Sequence, residues 1–132
     1  MVMSDPVSDM LTRIRNANMV NHPEVKIPHS KLKESVLEIM KSEGYIKNYR
    51  VVTENNKSTI NVLLKYSELG EPVIKGLKRV SRPGRRKYVK SKNLSPVLGG
   101  LGTGIVSTSY GLRTVKQCIK EKIGGEYLCQ IW

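Results

Sequence analysis

The stretch SPVLGGLGTG, residues 95–104, carries too much glycine to propagate a long helix, because glycine loses more backbone freedom on ordering than any other residue. At most one turn after Ser95 is expected there. The neighbouring segments are just as broken. Arg82-Pro83-Gly84-Arg85-Arg86 reads as a turn between two short β-prone stretches, VIKGLKRVS and KYVK. GIVSTS reads as a strand and YGLRT as a turn. Thr114 with Gln117 three residues on fits a capping box for one helix, VKQCIKEKI, with Gly124-Gly125 expected to end it. EYLCQIW alternates as a terminal strand. This half of the chain is therefore confined to short strands, tight turns and one short helix.

The other half has room for longer elements. Ser4-Asp5-Pro6 is a helix start, and Val7, Met10, Leu11 and Ile14 form one apolar stripe opposite Asp9, Thr12, Arg13 and Asn16. VKIP is a short strand. Ser30 caps a second helix expected to turn Leu32, Val36, Ile39 and Met40 inward and to stop at Gly44. YIKNYRVV and STINVLLKY follow as strands joined by a polar connector, residues 53–57. The class is α+β: an N-terminal αβαββ lobe, 1–67, and a β-rich C-terminal lobe with one helix, 68–132. The boundary falls at Glu68-Leu69-Gly70-Glu71-Pro72, where turn residues meet a change in charge density.

That change is steep. Residues 1–66 hold ten basic and seven acidic side chains, residues 67–132 thirteen and four, and nine basic residues with no acidic one lie between Lys75 and Lys92. Such a field repels itself unless a polyanion neutralises it, which points to nucleic acid. Arg79, Arg82, Arg85, Arg86, Lys87, Lys90 and Lys92 can meet phosphates, and Tyr88 among them either stacks on a base or packs on the sheet. No helix-turn-helix, zinc-finger or basic-zipper spacing appears, so DNA reading is not expected. Ser107-Thr108-Ser109, followed by Tyr110, is either a solvated strand end or a compact set of donors and acceptors suited to base edges and the ribose 2′-hydroxyl.

Other chemistries fit poorly. GGLGTG lacks the Gly-Lys-Ser/Thr of a phosphate loop, and no GxSxG elbow or nearby histidine activates the serines, so a small hydrolase or transferase is the weaker alternative. Cys118 and Cys129 have no CxxC spacing, and no metal site, cofactor or disulfide is expected. No segment approaches the roughly 20 apolar residues of a membrane span. The start of the chain has no basic-then-apolar signal pattern, so neither membrane binding nor export is expected and the location is cytoplasmic.

The stretches DPVSDMLTRIRNA, PHSKLKE, RVSRPGRRKY, GLGTGIVSTS, Gly111 and GGEYLCQIW resemble, in order and across essentially the whole chain, the bacterial type of the eighth small-subunit ribosomal protein family. The resemblance implies a non-enzymatic primary assembly protein that binds the central domain of 16S rRNA and touches neighbouring small-subunit proteins. It implies an RNA site similar to Ser107, Thr108 and Ser109 with Gly124, Gly125 and Glu126, and Arg85, Arg86, Lys87 and Tyr88 nearby. It also implies that Ser4, Asp5, Thr12, Arg13, Asn16 and Lys31 lie near a second rRNA segment, and that the protein binds its own operon's mRNA. The chain departs from the family at Tyr110, commonly lysine, and at VKQCIKEK, which replaces a more strongly patterned acidic-basic run.

Overall fold

The computed structural model describes residues 5–132 and shows two compact units, Pro6–Lys75 and, joined by Asp5, Gly76–Trp132. The α+β class is observed, and the first unit has the expected αβαββ order.

In that unit α1 (Pro6–Met19) opens with proline in its first turn and buries Val7, Met10, Leu11, Ile14 and Ala17 along one stripe. Strand β1 (Glu24–Pro28) leads to α2 (Lys31–Ser42), whose cap Ser30 accepts from the Lys33 amide at 3.2 Å. The inward face of α2 differs from expectation. Lys33, Val36, Leu37 and Met40 are buried, Ile39 is half-buried and Leu32 faces solvent. The buried set follows the i, i+3, i+4, i+7 rule from position 33, which turns residue 32 off the stripe. Burial lowers the Lys33 pKa, with the Asp9 carboxylate opposing that shift. The chain then makes a hairpin of β2 (Ile46–Glu54) and β3 (Lys57–Leu64). Its turn residues Asn55 and Asn56 have φ of 50° and 63°, the left-handed pair that a two-residue hairpin turn needs. The sheet order is β1-β3-β2, all antiparallel, with Ile27, Ile60, Val62 and Leu64 buried.

The second unit holds β4 (Leu77–Arg79), β5 (Tyr88–Val89), β6 (Thr103–Thr108), β7 (Gly111–Thr114), α3 (Val115–Glu121) and β8 (Gly125–Ile131). Strand β8 is the hub. It pairs with β6 on one side and, on the other, with β4 at residues 129–131 and β5 at residues 125–126; β7 pairs with β6. Leu94, Val106, Val115, Cys118 and Tyr127 form a core cluster. Both cysteines are free and buried, and desolvation pushes the Cys129 thiol up to about 12.

Three expectations need correction. YGLRT is mostly strand: only Ser109 and Tyr110 form the turn, and pairing resumes at Gly111. The regular strand in VIKGLKRVS shrinks to Leu77–Arg79, although the Val80 and Ser81 amides still donate to the Leu128 and Tyr127 carbonyls at 2.9 Å. The glycine-rich segment, by contrast, holds a single short 3-10 turn after Ser95, Val97–Gly100, as expected, with another 3-10 turn before it at Ser91–Asn93. Helix α3 is closed by Lys122 in the left-handed conformation, before the glycines are reached. Its capping box is as read, with both reciprocal Thr114–Gln117 bonds formed at 2.9 and 3.1 Å.

Candidate nucleic-acid interface

Directly paired residues of an antiparallel sheet project to the same face. Tyr88 pairs with Glu126 and Glu126 with Ser107, so these three form a row across β5, β8 and β6. The next row, Val106 and Tyr127, points the other way into the core. The first row is left outside: Tyr88 is 72% exposed and Ser107 half-buried.

Gly125 lets these strands meet. A Cβ there would overlap the Ser107 carbonyl oxygen and come within 2.9 Å of its carbon. Past Ser107, Thr108 turns its hydroxyl inward on its own hairpin. It donates to the Gly111 carbonyl at 2.7 Å and accepts from the Tyr110 amide at 3.1 Å. Gly111, at φ 103°, supplies the conformation that brings β7 back after a tight turn. Thr108 is thus committed to shaping the loop. Ser107 and Ser109 make no side-chain hydrogen bond within the described residues, and Ser109 is exposed. Tyr110 is 70% exposed at the hairpin tip and does not pack.

Glu126 ties the cationic turn to this row. Its carboxylate accepts from the Ser81 hydroxyl at 2.5 Å and from Arg86 at 2.9 Å, while Ser81 accepts from the Lys87 amide at 3.1 Å. Burial acts to raise the Glu126 pKa, but these bonds and the charges of Arg86 and Arg79 outweigh it and hold the group below its ordinary value. Arg86 is shifted upward, chiefly by its bond to Glu126. The Arg82–Arg85 turn closes with two backbone bonds of 3.2 and 2.9 Å, leaving Arg85, Arg86 and Lys87 exposed. Ser81 emerges as an organising residue that the sequence does not reveal, since its partner lies 45 positions away.

The expected cations are not equivalent. The Arg79 side chain is sequestered in the second unit, its Nε bonded to both Asp5 oxygens at 3.1 and 3.2 Å and its Nη1 to the Leu128 carbonyl at 2.7 Å. Asp5 is therefore engaged internally. In the first unit Thr12, Arg13 and Asn16 are exposed on α1, with Arg13 paired to Asp9 at 2.9 Å, and Lys31 is exposed at the start of α2. Ser4 lies outside the described residues.

Among the described residues no helix is long and apolar enough to cross a membrane. The family description "Ribosomal protein S8" matches residues 5–132. Proteins named small ribosomal subunit protein uS8 from Lactobacillus helveticus and Halothermothrix orenii are each 52% identical to this chain over 132 residues, and one from Shouchella clausii is 49% identical. In each case the match covers all of both chains. A full-length match at this identity, on a chain whose two units carry the signature stretches as ordered elements, is decisive: the chain belongs to the ribosomal protein S8 family of structural, non-enzymatic small-subunit proteins.

Proposed function

We propose that the chain works in the cytoplasmic small ribosomal subunit as a primary rRNA-binding protein, and that its β-rich C-terminal lobe grips an irregular helix of the 16S rRNA central domain. The observation that carries this reading is the pair of uncommitted serine hydroxyls, Ser107 at one end of the outward Tyr88–Glu126–Ser107 row and Ser109 in the exposed turn beyond it beside Tyr110, with the exposed cations Arg85–Lys87 leading into Tyr88 at the other end. Short hydroxyls let an RNA backbone come close and pair with both donors and acceptors, while the cations supply sequence-independent affinity. Gly124 and Gly125 let the strands that carry this row approach closely, and Glu126 holds Arg86 in position. Thr12, Arg13, Asn16 and Lys31 of the N-terminal lobe approach a second rRNA segment, to which the family resemblance also assigns Ser4 and Asp5. Neighbouring small-subunit proteins complete the partners. An mRNA segment of the protein's own operon that mimics the rRNA helix competes for the same hydroxyl row.

Ser107→Ala combined with Ser109→Ala tests the reading against a central-domain rRNA transcript. Removing each hydroxyl's buried hydrogen bond to RNA is expected to weaken binding by about 1–3 kcal/mol, with the salt dependence unchanged because no charge is removed. Arg85→Ala or Lys87→Ala should instead lower the salt slope by about one unit. A double serine variant that binds like the parent protein refutes the role of the hydroxyls.

A further inference from the structure

Lys122 ends α3 at φ 58° and ψ 42°. This left-handed position at a helix end is where glycine is favoured, because a Cβ crowds the following carbonyl. Closing the helix does not require the lysine side chain: the Ile123 amide reaches back to the Cys118 carbonyl at 3.0 Å through backbone alone. A cation does favour the negative end of a helix, but Lys120 already stands in the last turn.

The side chain has a second setting. Lys122, Lys90, Ser91, Tyr88 and the Gly124-Gly125 pair line a groove of about 460 Å³ that continues from the β5–β8 pairing of Val89 with Gly125. No acidic residue lines it. Neither lysine has an ion-pair partner among the described residues, whereas Arg79 and Arg86 both do. Tyr88 belongs both to this groove and to the Tyr88–Glu126–Ser107 row, so the two surfaces are continuous.

We propose that the groove is a phosphate-binding extension of the RNA interface, in which Lys90 and Lys122 hold the sugar–phosphate backbone of the strand that passes over Tyr88 toward Ser107. The inference rests on the RNA-binding reading of that row and adds two cations to it. A lysine ammonium is a compact charge on a flexible stem, suited to phosphates that cross a groove without fixed orientation. The unfavourable backbone at Lys122 is retained because it sets that charge at the groove edge.

The test is Lys122→Gly, measured with the full chain and a 16S central-domain transcript across a salt series. The substitution should raise the melting temperature, by relieving the left-handed backbone. It should also weaken binding about five- to tenfold near 0.1 M salt and lower the salt slope by about one unit. Lys122→Arg should retain the parental slope, and Lys90→Ala combined with Lys122→Gly should lower it by about two units. If the parent chain binds the transcript and Lys122→Gly binds with the same affinity and slope, the groove is not a phosphate site and the hydroxyl row stands alone. If the parent chain does not bind, the RNA reading itself fails and this extension with it.

Discussion

Removing the Glu126 carboxylate should destabilise the second unit mainly through a residue that bears no charge. Ser81 is fully buried, and Glu126 is the acceptor for its hydroxyl. In Glu126→Ala that O–H stays buried with no acceptor, a loss of about 1–3 kcal/mol. The Arg86 bond adds little, because half-exposed pairs are screened by water and salt. Ser81→Ala has its own cost, since it strips the Lys87 amide of its acceptor. In the Ser81→Ala background there is no hydroxyl left to orphan, so Glu126→Ala should cost about 1–2 kcal/mol less than it does in the parent protein. Urea unfolding of the four proteins, followed by fluorescence of Trp132, gives the coupling. This single tryptophan exchanges both backbone bonds with Gly76 inside the second unit and so reports on that unit. Strictly additive costs would refute the account. The pH dependence carries an independent sign. The Glu126 pKa is depressed in the folded state, so its contribution is present above the ordinary glutamate value and is lost as pH falls through the depressed one. Glu126→Gln should flatten the acid limb of the stability curve.

Three further outcomes follow from the geometry. Gly125→Ala should cost about 1–3 kcal/mol in urea unfolding, because its Cβ meets the Ser107 backbone rather than a side chain that could swing away. Thr114→Ala should cost about 1 kcal/mol by the same measurement through loss of the α3 cap. The Tyr49 hydroxyl donates to Glu38 at 2.7 Å, and this bond with burial pushes its pKa up to about 12. Its stabilising contribution should be intact below about pH 10, the ordinary tyrosine value, and fade as pH rises toward 12; in an ultraviolet titration Tyr49 should ionise late, as should Tyr66 and Tyr127, which burial also raises, and Glu38→Gln should shift only the Tyr49 component to lower pH.

Local signals in the sequence are most reliable where both partners lie within one turn. The Thr114–Gln117 box and the α1 stripe are found as read. The α2 face is misread by one position because Leu32 is the more apolar residue, whereas periodicity selects Lys33, whose long stem tolerates burial. The glycines at the start of β8 are ambiguous in the same way: two adjacent glycines look like a helix stop, yet they serve the close approach of three strands. Arg79 looks like every other cation in its run, because its partner Asp5 is 74 residues away. The row Tyr88–Glu126–Ser107 has no local signature at all. Its members are identified through family resemblance, and only strand pairing shows that they share a face.

The hub position of β8 has a consequence for the timing of synthesis. The strand that joins β4, β5 and β6 is the last element in chain order. Chains are made from the N-terminus, so the first unit can complete itself while the sheet of the second still lacks its middle. Until residues 125–131 arrive, Tyr88 and Ser107 have no common strand between them, and Arg86 and Ser81 lack the carboxylate that organises them. A nascent chain therefore carries the full run of cations from Lys75 to Lys92 but no assembled hydroxyl row. On the proposed reading of that row, it can attract polyanions loosely before it can discriminate among them, and specificity switches on only once residues 125–131 have been added.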